Sequence, residues 1–147
     1  MKTFTFRLET LLKFRRMQKE QAQLSFWQAA NQFQVAKEKL AQLEKKLLEN
    51  VNLLRAFQRN VISIETFKSF QSYFYAMKKE IQQQEETVRF ADEYRIKCLR
   101  MLEEAMKSHK AVEKFREKKA QDFQVELLKE EQKMLDEIGL QLYVREK

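Results

Sequence analysis

The stretch AQLSFWQAANQFQVAKEKLAQLEKKL, residues 22–47, decides the fold. Within it Ala22, Phe26, Ala29, Phe33, Ala36, Leu40, Leu43 and Leu47 recur at steps of four and three with nothing polar among them, the seam of a coiled coil. In the same register the pattern runs back through Arg15, Leu12 and Leu8 and forward through Asn50, Leu54, Phe57 and Val61. One helix is predicted, from about residue 4, with Thr3 available as its cap, to about residue 60. Phe4, Phe6 and Leu8 are expected to pack near its base.

Composition agrees with long helices and few loops. The 147 residues include one glycine, Gly139, and no proline, and 35% are charged, so the usual turn residues are nearly absent. The only break in the pattern falls at residues 60–63, where Asn60, Val61 and Ile62 precede Ser63. Serine there makes a good N-cap, and Glu65 in the following turn complements the helix dipole.

A second seam starts at once and runs through Phe67, Phe70, Phe74, Met77, Ile81, Gln84, Val88, Ala91, Arg95, Cys98, Leu102, Ala105, His109 and Val112. If the chain folds back near residue 62, facing residues have numbers summing to about 124 in an antiparallel pair. Leu47 then meets Met77, Leu43 meets Ile81, Ala36 meets Val88, Phe26 meets Cys98 and Leu12 meets Val112. Two registers read separately agree. The fold class is all-α: a single domain over residues 1–147, an elongated antiparallel two-helix coiled-coil hairpin, with its second helix over about 64–145. The polar seam residues Asn50, Gln84 and Arg95 are expected to reach the rim or fix the register, and His109 to be partly exposed.

At 1.5 Å per residue the second helix would outrun the first, leaving residues beyond about 119 as a C-terminal helical overhang. Its pattern stays apolar, with Phe123, Leu127, Met134 and Ile138 on one stripe and Leu128, Leu135 and Leu142 beside it. Such a helix end calls for a partner or a second copy. Aromatics outside the seam, Tyr73 and Tyr75 after the turn with Trp27 and Phe90, suggest further docking surface.

The net charge of +7 is uneven: through Ile62 there are 12 Lys and Arg against 5 Asp and Glu, and from Ser63 onward 17 against 17. Much of the excess stands at the start, where Lys2, Arg7, Lys13, Arg15, Arg16 and Lys19 face only Glu9 and Glu20. A basic helix end suits nucleic acid, anionic lipid or an acidic protein surface. Nucleic acid is disfavoured, because Lys114, Arg116, Lys118 and Lys119 alternate with Glu113, Glu117 and Asp122. Neighbouring carboxylates such as Glu85 and Glu86 point about 100° apart on a helix and do not converge on a metal or substrate. One cysteine, one histidine and one glycine leave no disulfide, zinc site or phosphate loop, so neither an enzyme nor a cofactor is expected. No apolar run is long enough to span a membrane, and the N-terminus has no signal-peptide pattern, so a cytoplasmic protein is expected.

The start FTFRLETLLKFRRMQKEQAQ, with its F-x-L-x-x-L-L-x-x-R pattern, resembles the bacterial flagellar FliJ family. FKSFQSYFYAMKKEIQQQ and the late KMLDEIGLQLYVREK are similar to it as well, so the resemblance covers nearly the whole chain. It implies a component of the flagellar type III protein export apparatus, stalk-like, monomeric when free, and bound to the membrane only through partners. Those partners would be the hexameric export ATPase (FliI), the export gate protein (FlhA) and export chaperones. The family's gate-binding region matches Tyr73, Tyr75, Met77, Glu80 and Gln84, although Glu80 and Gln84 depart from the small and imidazole side chains of that region. Arg15, Arg16 and Lys19 with Leu128, Leu135 and Leu142 would then contact the ATPase. A different class of function is a generic coiled-coil scaffold that dimerises through its C-terminal helix.

Overall fold

The computed structural model describes residues 2–59 and 62–146. It contains two helices, α1 (Glu9–Gln58, 50 residues) and α2 (Ile64–Glu146, 83 residues), and no strand among the described residues. They pack against each other as in a helical hairpin. Of the turn expected at 60–63, Asn60 and Val61 lie outside the described residues. Ser63 caps α2: its Oγ accepts the Thr66 N–H at 3.2 Å, and its carbonyl accepts the Phe67 N–H at 3.1 Å. The chain falls into two compact units, one being Gln21–Leu102 and the other the residues on either side of that span.

In Gln21–Leu102 the two seams meet in the register their spacing predicts. Every seam position from Ala22 to Leu54, and from Phe70 to Leu102, is buried or half-buried. Leu43, Met77 and Ile81 form a core cluster with Leu40 and Leu47 packed against it. Each such side chain taken out of water contributes about 1.5–3 kcal/mol. Asn50 Nδ2 donates to the Tyr73 hydroxyl at 3.2 Å and to the Lys46 carbonyl at 2.8 Å. Phe57 and Phe70 lie with ring centroids 6.1 Å apart, and the Arg95 guanidinium sits 5.0 Å from the centre of the Phe33 ring. The antiparallel ladder therefore holds from one end of this unit to the other.

Gln84 does not reach the rim. It is buried, and its Nε2 donates to the Ala36 carbonyl of the opposite helix at 3.0 Å. The amide can be buried there because its donor is satisfied across the seam. Cys98 is also buried, and its hydrogen bond with the Tyr94 hydroxyl, then its charge when ionised, then slight burial hold the Tyr94 phenol above its ordinary range.

The other unit departs from the expected helix at its N-terminus. α1 starts at Glu9, and residues 2–8 are not helical. Phe4 and Phe6 lie against Phe123 and Phe115 of α2, with ring centroids 5.7 and 5.9 Å apart. Glu9 Oε2 is 3.0 Å from Arg116 Nε, and Lys2 Nζ is 3.1 Å from Glu130 Oε1. Seven residues of N-terminal chain thus run beside fourteen residues of α2. Extended chain covers about 23 Å in that count, matching about 21 Å of helix, whereas a helical start would reach only half as far. The uncovered end of α2 consequently begins later than residue 119: Ala120, Phe123 and Leu127 are half-buried, and exposure becomes continuous from Leu128.

His109 is buried rather than partly exposed. Its Nε2 has no hydrogen-bond partner, and its Nδ1 lies 3.7 Å from Glu113 Oε2, too far for a good hydrogen bond. The seam position turns the ring inward although its Nε2 finds no acceptor or donor there.

Candidate partner-binding surfaces

Two helices packed through a single seam bury few residues, and function falls to what the outer faces and ends present. No cluster of three or more His, Cys, Asp or Glu side chains that could hold a metal occurs among the described residues. No helix is long and apolar enough to cross a membrane.

The last part of α2 presents a continuous exposed surface with many apolar side chains. From Leu128 onward every described residue is exposed, including Leu128, Met134, Leu135, Ile138 and Leu142, with Leu135 at 63%. The 3.5-residue pattern places Leu128, Leu135 and Leu142 on one side of the helix and Met134 and Ile138 on the adjoining one. Gly139 stands inside this helix with no atom near enough to meet an added Cβ. It leaves the surface open there, and α2 runs past it to Glu146.

Of the basic residues expected beside it, Arg16 is exposed, while Arg15 and Lys19 are half-buried along α1. Arg15 Nη1 donates to Gln18 Oε1 at 3.2 Å, which draws its charge along its own helix.

The segment after the turn divides in two. Tyr75, 74% exposed, and Glu80 point outward, and Tyr73 keeps an exposed ring while its hydroxyl is held by Asn50. Met77 and Gln84 are seam residues, buried to 7% and 8% exposure. Paired with α1, both present little surface to the outside. The exposed residues fall on two flanks of α2, Tyr73 with Glu80 on one side of the seam and Tyr75 with Ile64 on the other.

The N-terminal strap, residues 2–8, is the feature that helical reading missed. Its sequence carried a signal: Phe4, Phe6 and Leu8 alternate with Thr3, Thr5 and Arg7, a period of two rather than 3.5. Among the described residues, no backbone hydrogen bond involves Lys2 to Thr5; the segment is tied in only at Phe6 and Leu8, whose carbonyls accept from Glu9 and Leu12. Side chains do the rest. Two aromatic pairs and exposed ion pairs hold it, contacts that are individually weak.

Two long helices in antiparallel register, with aromatic and apolar surface left on their outer faces, define an all-α helical hairpin. Residues 4–147 match the family model described as flagellar FliJ protein, and the chain belongs to that family. It is thereby a type III export-related protein. The structure of a YscO homologue from Chlamydia trachomatis is similar to this one with a TM-score of 0.66 at 16% sequence identity, covering 96% of each chain. Likeness at that identity speaks for the fold. A comparison with curated proteins gave no match to the sequence.

Proposed function

We propose that this chain is a non-enzymatic coupler in flagellar type III export, linking the hexameric export ATPase (FliI) to the export gate (FlhA) and escorting export chaperones. It works in the cytoplasm and meets the inner membrane only through those partners. The observation that carries the reading is the continuous exposure of Leu128, Leu135 and Leu142 on a chain of this family. Leucines at heptad spacing on a stable helix suit a second apolar surface, and the ATPase is the partner assigned to them, with Arg16 adding charge from α1. Tyr73, Tyr75 and Glu80 are assigned to the gate. Nucleic acid is not a partner in this reading, since acidic side chains dilute the basic stretch 114–119.

The test is a pull-down of the full chain with the export ATPase and, separately, with the cytoplasmic part of the gate protein. Both are expected to be retained. Failure to retain either removes the coupling role. The same exposed leucines would also serve a second copy of the chain, which light scattering distinguishes: a mass that stays monomeric with rising concentration supports the coupler over the scaffold.

A further inference from the structure

We infer that residues 2–8 are a releasable strap, closing on α2 a docking seat that a partner segment carrying aromatic or large apolar side chains takes in their place. The inference rests on the reading above that the end of α2 binds a partner, and adds how access to it is regulated.

Three observations carry it. First, the strap sits on the upstream part of the same apolar stripe that lies open beyond Leu127: Phe4 lies against half-buried Phe123, Phe6 meets the rim of that stripe at Phe115, which stays 42% exposed, and Met134 and Ile138 are uncovered. A partner lying along the open part meets the strap as it extends toward Phe115. Second, the seat is larger than what fills it. A groove of about 600 Å³ runs beside the strap between Phe6, Phe115, Lys119 and Glu126, and another of about 580 Å³ lies across Phe4 against Ala120, Gln124 and Val125. Third, the strap is held by contacts that can be exchanged one for one. Its two phenylalanines, the Lys2–Glu130 pair and the Arg116 guanidinium 5.9 Å from the Phe4 ring centre are side-chain contacts, with no backbone hydrogen bond from Lys2 to Thr5 among the described residues. An incoming segment with apolar side chains and a basic residue opposite Glu130 reproduces each of them. The strap is therefore an intramolecular stand-in for its own competitor.

The experiment uses the full chain, wild type and Phe4→Ala/Phe6→Ala, with two probes. The first is a fluorescein-labelled peptide of residues 2–9, followed by anisotropy. It should bind the double variant, whose seat is vacant, at least tenfold more tightly than the wild type, and circular dichroism should show equal helix content in the two chains. Equal binding, or no saturable binding to either, overturns the strap. The second probe is the export ATPase, which should be captured several-fold more tightly by the double variant. Weaker or unchanged capture by the variant overturns the proposal, because the strap is then itself a contact or only structural. If neither chain captures the ATPase while the peptide distinguishes them, the strap stands and the ATPase assignment falls.

Discussion

The span Gln21–Leu102 and the last part of α2 carry the same sequence pattern and meet opposite fates. In the first, leucines and phenylalanines at 3.5-residue spacing are covered by the other helix, down to the buried trio Leu43, Met77 and Ile81. Beyond Leu127 the stripe continues through Met134 and Ile138, with Leu128, Leu135 and Leu142 beside it, but the side chains stay exposed. The pattern alone cannot tell a seam that stabilises from a face that binds; the supply of opposing chain decides. α1 has 50 residues against 83 in α2, and even the extended strap carries cover only as far as Glu130. Stability belongs to the covered stretch and recognition to the exposed one.

That contrast is broken most severely by cutting the covered seam. Ile81→Ala removes a core side chain from a cluster only two helices thick and should cost about 2–3 kcal/mol, read as a lower midpoint in urea unfolding followed by circular dichroism. A loss near zero would mean that the seam does not hold the unit together. A smaller effect, of opposite sign, comes from His109→Leu. The buried Nε2 has no partner, so an apolar residue of similar size there should raise stability by about 1 kcal/mol in the same assay. A loss of that size instead would point to a polar role for the imidazole.

The reach of sequence reading follows the same division. The register was legible because two seams constrain each other: Leu47 with Met77 and Leu43 with Ile81 follow from spacing alone, and the structure gathers those four residues in one cluster. Of the two places open to Gln84, rim or seam, the structure takes the seam, because burial of the amide depends on a single acceptor, the Ala36 carbonyl, which no periodicity announces. His109 was misplaced for the converse reason, since its seam position wins over its polarity. The strap was hidden by overlap. Phe4, Phe6 and Leu8 fit the start of a helical pattern as readily as a strand-like alternation, and only the length of uncovered α2 favours the extended form. Of the residues assigned to the export gate, Tyr73, Tyr75 and Glu80 are open, while Met77 and Gln84 were selected by sequence position and are spent on the seam.

The central claim is that the exposed leucines of α2 bind and do not stabilise. It is tested most directly by Leu135→Asp with Leu142→Asp in the full chain, measuring ATPase capture and thermal unfolding on the same preparation. Both positions are exposed helix surface, so stability should fall by no more than about 1 kcal/mol and helix content should be unchanged, while ATPase capture is lost. Undiminished capture by a fully helical variant would contradict the account.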